Sequence, residues 1–182
     1  MPIINKQLQK KIISMIKTDQ AARKLAVANS KNKNICNKVY KIDCKNQLVL
    51  KEIINEFGWP TFSMVGKRAS NNFCLLVQHA DTDLQFQKKC LKLLTISAKK
   101  NQAKLSNVAY LSDRVRAAEG KKIKFGTQYL IKNGKLEMKP VANLKELAQL
   151  RRNYGLPTIK KQNLKMKRLY AKLLKANKEQ KS

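Results

Sequence analysis

The stretch ASNNFCLLVQHAD, residues 69–81, joins a strongly apolar helical pattern to the only histidine of the chain, His79. Phe73 and Val77 recur at helical spacing, which predicts a helix over residues 69–80. The helix ends in polar residues, so the histidine is expected at a helix terminus beside carboxylates. The stretch therefore indicates both a helical core and a candidate site.

Similar apolar periodicity occurs on both sides of this stretch. It predicts further helices over residues 5–28, 46–57, 84–99, 107–118, 143–153 and 162–177. Ser106 is expected to cap one of them, and the polar residues 29–38 are expected to form a loop. Another loop is expected to begin at Val65-Gly66. The predicted fold class is a mainly α, compact helical domain with one small β-hairpin near residues 125–139.

The hairpin is predicted from Asn133-Gly134, a strong two-residue turn signal. Pairing outward from the turn places Ile131 opposite Leu136 and Tyr129 opposite Met138. These four side chains are expected on the core face, and Gln128 on the other face. Residues 1–157 are predicted to form a single helical domain, and residues 158–182 a basic C-terminal helix or tail.

The charge is strongly positive, with 40 Lys and Arg against 11 Asp and Glu in 182 residues. A net charge of +29 favours an anionic partner such as nucleic acid, a nucleotide, another anionic small molecule or an anionic membrane surface. Compositional drift towards lysine is the alternative. Residues 158–182 hold nine bases and one acid, so the last helix is expected either to lie on such a partner or to be simply solvated.

The cysteines and the apolar runs limit the class of protein. Cys36, Cys44, Cys74 and Cys90 contain no CxxC pair, which argues against a zinc ribbon or redox motif. Cys74 and Cys90 are predicted to be buried. Residues 1–17 lack a signal-peptide pattern, and no run has transmembrane length, so a cytoplasmic location is predicted, with delivery to another cell left open.

Three groups of polar residues are candidates for chemistry. His79 could be a general acid or base, or a metal ligand that needs Asp81, Asp83 or distant carboxylates, since no second histidine exists. A hydrogen-bonded structural histidine is the alternative. No metal site is predicted, and the cofactor is left undetermined.

The second group is Asp113-Arg114, in which the arginine could bind a phosphate or a carboxylate through two hydrogen bonds, or form a charge pair on the helix surface. Gly126-Thr127-Gln128 is the third group, because its glycine permits close approach of a ligand. Asp19 lies on the apolar face of the first helix, and Arg23 follows four residues later. These two are expected to form at least an ion pair within the helix.

The same elements resemble an uncharacterised bacterial family of unknown function over roughly residues 10–160. The matching elements are Asp19-Gln20 with Arg23, Gly58-Trp59-Pro60, Val65-Gly66, Gln78-His79-Ala80-Asp81, Asp113-Arg114, Gly126-Thr127-Gln128 and Arg152 to Pro157. The resemblance implies that acid, base, cation and amide side chains from separate helices converge on one site. Two polar positions of the family pattern are Ile123 and Phe125 here, which predicts the loss of two polar contacts.

The leading hypothesis is an enzyme-like domain, a possible hydrolase or group-transfer enzyme, that acts on a phosphate-bearing or other anionic substrate. The catalytic candidates are His79, Asp81 and Asp113, and the substrate-binding candidates are Arg114, Gln128, Asp19, Arg23 and Gln78. One alternative is a non-catalytic protein that binds nucleic acid without sequence specificity. A second is an effector or toxin that engages a partner protein.

Overall fold

The computed structural model describes residues 4–29 and 32–179, in which the chain forms seven helices and one two-stranded hairpin. The helices are α1 (Lys6–Ala28), α2 (Lys33–Phe57), α3 (Phe62–Gln78), α4 (Leu84–Lys99), α5 (Leu105–Ala118), α6 (Leu147–Asn153) and α7 (Ile159–Glu179). Strands β1 (Tyr129–Lys132) and β2 (Lys135–Met138) lie between α5 and α6. The predicted mainly α fold with one hairpin is confirmed. Among the described helices, none combines the length and apolarity needed to cross a membrane.

Helix α3 lies at the centre of the fold, in contact with α1, α2, α4 and α5. Most of its apolar side chains are buried, with Phe73 and Val77 at 0 % exposure. The ring of Trp59 meets Phe73 edge-on at 5.2 Å between centroids, a favourable geometry for two aromatic rings. The stretch at residues 69–81 therefore supplies the middle of the core, and its polar end emerges where the surrounding helices meet.

Side chains at the N-termini explain where several helices begin. Asn5, Thr61 and Asp83 each accept a hydrogen bond from the backbone N–H three residues later, at 2.9, 3.2 and 2.9 Å. Each bond satisfies one of the amide donors that a helix leaves unpaired in its first turn. Gly58 ends α2 with a φ of 66°, a conformation that glycine adopts without a steric penalty.

The prediction of a loop over residues 29–38 is wrong, because α2 begins at Lys33. The side chain of Asn32 accepts hydrogen bonds from the N–H groups of Asn34 and Ile35, at 3.0 and 3.3 Å. Asparagine favours helix N-caps as well as loops, so this polar segment starts a helix. Ser106 is not the cap of α5 either, since α5 begins one residue earlier and Ser106 is buried within it.

The loop predicted from Val65-Gly66 is reduced to one non-helical residue inside α3. Gly66 has a φ of 79° and a ψ of 156°, which kinks the helix. The side-chain amide of Gln9 on α1 donates to the Val65 carbonyl at 2.8 Å. This bond gives a partner to a carbonyl beside the kink.

The hairpin has the predicted register, with Ile131 opposite Leu136 and Tyr129 opposite Met138. The predicted core face is only partly covered, because Ile131 next to the turn is 59 % exposed. Helix α7 packs against β2 and against α1. Helix α7 therefore contacts both the hairpin and the helical body.

Candidate functional site

His79 is held at the C-terminal end of α3, where the apolar core ends. Its backbone N–H donates to the Leu76 carbonyl at 3.0 Å, and its side chain is 14 % exposed. Because the preceding residues are locked into the core, the imidazole has a fixed position at the boundary between core and surface.

Asp19 on α1 meets this imidazole. Its Oδ1 lies 3.0 Å from Nδ1 of His79, and its Oδ2 accepts from the side-chain amide of Gln20 at 2.7 Å. The side chain of Asp19 is 1 % exposed, as its place on the apolar face of the helix predicts. Asp19 is thus a buried carboxylate in contact with the imidazole of His79.

Arg23 and Asp43 complete the group, which we call the His79 cluster: Asp19, Arg23, Asp43 and His79. Arg23 donates through Nε to Asp19 at 3.1 Å and through Nη2 to Asp43 at 2.6 Å. Asp43 lies on α2 and was not among the residues predicted for the site. The reason is the misplaced start of α2, which left Asp43 outside the predicted helix over residues 46–57.

The protonation of the imidazole follows from its neighbours. Nδ1 of His79 lies 3.0 Å from Nε of Arg23 as well as 3.0 Å from the Asp19 carboxylate. Nδ1 cannot accept from Arg23 and donate to Asp19 at once. We assign the proton to Nδ1, because a hydrogen bond to a carboxylate is charge-assisted and both N–H groups can then point at Oδ1. The Arg23–His79 distance is then a packing contact, and Nε2 carries the lone pair.

The pKa values of the two carboxylates of the cluster are shifted in opposite directions. Burial raises the pKa of Asp19, but hydrogen bonds from His79 and Gln20 and the charge of Arg23 outweigh it, so the pKa is lowered. For Asp43, burial is the larger effect, and the pKa is raised despite the attraction of Arg23. Asp19 therefore keeps its charge to lower pH than Asp43 does.

Asp81, two residues after His79, forms a second ion pair with Arg114 of α5. Arg114 donates to Asp81 through both Nε, at 2.7 Å, and Nη2. Gln87 donates to the same carboxylate at 3.2 Å. Burial raises the pKa of Asp81, but these bonds and the Arg114 charge lower it overall. Asp81 is thus engaged by Arg114, and the carboxylate that contacts the imidazole is that of Asp19.

Asp113 is 0 % exposed and holds the loop before the hairpin. It accepts from the backbone N–H groups of Lys124, Phe125 and Thr127, at 2.7, 3.0 and 2.9 Å, and from the Thr127 hydroxyl at 2.9 Å. Both carboxylate oxygens of Asp113 accept hydrogen bonds from the loop, so this geometry gives Asp113 a structural role. Arg114, its neighbour in sequence, instead binds Asp81.

Among the described residues, the side chains of the two glutamines predicted for the site form hydrogen bonds only with residues nearby in sequence. Gln128 approaches the Thr127 hydroxyl at 3.5 Å, and Gln78 points back along α3 to the Cys74 carbonyl at 3.5 Å. The two positions that depart from the family pattern, Ile123 and Phe125, are 0 % and 4 % exposed and belong to the core.

Asp19, Asp43 and His79 also form a candidate set of metal ligands. Their ligand atoms lie within 4.8 Å of one another. Two carboxylates and an imidazole suit a divalent transition metal. The Arg23 guanidinium, however, already bonds to both carboxylates, so a metal ion would have to displace it.

The family model described as "Family of unknown function (DUF6624)" matches residues 6–175. The chain belongs to this family. The match covers nearly all of α1 to α7, including the residues of the His79 cluster. No curated protein and no solved structure is significantly similar to the chain.

Proposed function

We propose that this DUF6624 protein is an enzyme that uses His79 as a general acid or base on a phosphate-bearing or other anionic substrate. The observation that carries the proposal is the 3.0 Å contact between Nδ1 of His79 and the sealed Asp19 carboxylate. A carboxylate on one ring nitrogen fixes the tautomer and stabilises the imidazolium that forms when the other nitrogen takes a proton. Asp19 is the positioning residue, and Nε2 of His79 exchanges the proton.

Two arginines supply donors for an anion: Arg23, in the His79 cluster, and Arg114, on the carboxylate of Asp81 two residues after His79. Arg23 and Arg114 each use Nε and Nη2 for carboxylates. Among the described residues, Nη1 of Arg23 and Nη1 of Arg114 have no hydrogen-bond partner. A guanidinium has five N–H donors in a fixed fork, so it can bind a carboxylate and still hold a phosphate oxygen. The reaction class that fits these groups is hydrolysis or group transfer assisted by proton transfer.

Because His79 is the only histidine of the chain, its contact with Asp19 can be observed directly by ¹⁵N NMR. In alkaline solution we expect the neutral ring of His79 to be protonated at Nδ1, and Asp19→Asn to shift the ring towards a mixture of tautomers. Titration of inorganic phosphate should move the His79 signals. A ring protonated at Nε2 in the folded protein, with no response to phosphate, would refute the proposal.

The activity test uses bis(4-nitrophenyl) phosphate, 4-nitrophenyl phosphate and a fluorogenic RNA oligonucleotide as probes. His79→Gln should reduce turnover of any accepted probe by at least about 100-fold, the usual contribution of a general acid or base. Gln149→Ala, an exposed change on α6, is the matched control and should leave turnover unchanged. Full activity in a folded His79→Gln variant would contradict the role of His79.

A further inference from the structure

Helix α7 carries a continuous line of cations on one face. The α7 stripe consists of Lys161, Lys165, Arg168, Lys172 and Lys175. The residues follow one another at alternating spacings of four and three, which aligns them along a single side of an α-helix. At 1.5 Å per residue, the stripe is about 21 Å long. All five residues are exposed.

The opposite side of α7 is anchored to the body, which fixes the orientation of the stripe. Gln162 is 4 % exposed, and Asn163 accepts a hydrogen bond from the Tyr129 hydroxyl at 2.6 Å. The hydroxyl of Tyr170 donates to the Gly134 carbonyl at 2.9 Å. These contacts turn the cations away from the hairpin and towards the outside.

Lysines such as Lys51 and Lys88 form ion pairs with acidic side chains. No stripe residue does so among the side chains that the structure describes, which on α7 end at Lys175. Like charges three and four residues apart destabilise a helix. A ligand with a row of negative charges would remove this repulsion.

The positions of the apolar and aromatic residues of α7 favour one kind of anionic partner, a nucleic-acid duplex, over a membrane surface or single-stranded nucleic acid. Leu164 and Leu169 are 51 % and 50 % exposed, and they lie at the two edges of the stripe rather than along its middle. A helix that inserts into a membrane surface has the reverse order, with an apolar centre flanked by cations. Tyr170, an aromatic residue of α7, is engaged by the hairpin, so base stacking is disfavoured. The uninterrupted row of cations along the middle of the exposed face of α7 instead matches the regularly spaced phosphates of a duplex.

We propose that the α7 stripe binds the phosphate backbone of double-stranded nucleic acid without reading its sequence. Four of its five cations are lysines, which act as point charges and do not supply the bidentate fork typical of base recognition. Duplex nucleic acid presents one negative charge per about 1.7 Å of axis, more than enough to engage every stripe cation. The surface is independent of the His79 cluster.

The test is fluorescence anisotropy of a labelled 20-base-pair DNA duplex of arbitrary sequence, titrated with the full-length protein at several salt concentrations. The stripe variant is Lys165→Gln, Arg168→Gln and Lys172→Gln together. The matched control is Lys10→Gln, Lys17→Gln and Lys24→Gln, three exposed lysines of α1 at spacings of seven that lose the same charge. Circular dichroism checks that both variants keep their helix content.

We expect the stripe variant to bind at least about tenfold more weakly at 0.1 M salt, with the slope of log K against log salt reduced by two to three. The control should bind like the wild type. Equal weakening in the control would mean that bulk charge suffices and would overturn the proposal. Absence of binding by the wild type would overturn it, as would tighter binding to phosphatidylserine vesicles than to the duplex.

Discussion

Buried charged side chains serve two different purposes in this protein. Asp113 and Arg151 are 0 % and 1 % exposed, and both bond to the backbone around the hairpin. Arg151 donates through Nε to the Pro157 carbonyl at 2.8 Å and through Nη1 to the carbonyls of Phe125 and Gly126. Asp19 is also buried, but it contacts the imidazole of His79 and the guanidinium of Arg23. The first two hold a loop, whereas Asp19 holds the imidazole of His79.

Replacing Asp113 with Ala should destabilise the fold strongly. The change leaves buried N–H groups of the loop without an acceptor, and each such group costs about 1–3 kcal/mol. We expect the free energy of unfolding to fall by roughly 3 kcal/mol or more, measured by urea denaturation. Glu137→Ala, an exposed carboxylate on β2, is the control and should change it by less than about 0.5 kcal/mol. A similar effect of the two substitutions would contradict the structural role.

The opposite pKa shifts of Asp19 and Asp43 predict opposite effects on acid stability. The pKa of Asp19 is lowered in the folded state, so its stabilisation is present above the ordinary pKa and is lost as the pH falls through the folded value. The pKa of Asp43 is raised, so the folded state binds its proton more readily, and stability falls as the pH rises through the interval between its ordinary and folded values.

Urea unfolding between about pH 3 and pH 6 tests this pair. Asp19→Asn should flatten the rise of stability with pH, and Asp43→Asn should make the rise steeper. Parallel pH profiles for the two variants would show that the carboxylates do not differ in this way.

At the scale of elements, the loop between α5 and the hairpin is fixed from two sides. Asp113 on α5 binds its N–H groups, and Arg151 on α6 binds its carbonyls. Gly126 lies between them with a φ of 65°. A Cβ at this position would lie 2.8 Å from Sδ of Met138 and 2.9 Å from Cδ1 of Ile159. The glycine thus lets β2 and α7 pack against the loop.

Gly126→Ala should therefore destabilise the protein more than Gly134→Ala at the hairpin turn. Both glycines have positive φ, but a Cβ at Gly134 meets nothing within 4 Å. The left-handed conformation costs each variant about 1–2 kcal/mol, and crowding adds about 1–3 kcal/mol at Gly126 alone. Thermal and urea unfolding of the two variants measure the difference. Equal losses would mean that Met138 and Ile159 move aside freely.

At the scale of the whole molecule, the core built around α3 controls access to two thiols. Cys74 and Cys90 are both at 0 % exposure, as the sequence predicts, and burial raises the pKa of each thiol to about 12. Thiolates are the reactive form of cysteine, so both residues should be inert in the folded protein.

Alkylation with iodoacetamide, followed by peptide mass spectrometry, checks this expectation. Cys74 and Cys90 should remain unmodified under native conditions and become labelled after unfolding in guanidinium chloride. Cys44, which is half-buried on α2, provides the internal comparison and should react faster in the folded state. Native labelling of Cys74 at the rate of the unfolded chain would show that the core opens readily.

Features of this protein that depend on local periodicity can be predicted from the sequence. The helical class, the burial of Asp19, the approach of Arg23 four residues later and the register of the hairpin all follow from spacings of a few residues. The helix start at Lys33 was missed, because asparagine is typical both of loops and of helix N-caps.

The composition of the site was decided by tertiary structure alone. Asp19 contacts His79 across 60 residues of sequence, and Arg23 reaches Asp43 on a different helix. Which carboxylate meets the imidazole depends on how α1, α2 and α3 pack, since helical spacing fixes neighbours only within one helix. Asp113 and Arg114 are adjacent in sequence, yet their side chains leave α5 in different directions, one into the core and the other to Asp81.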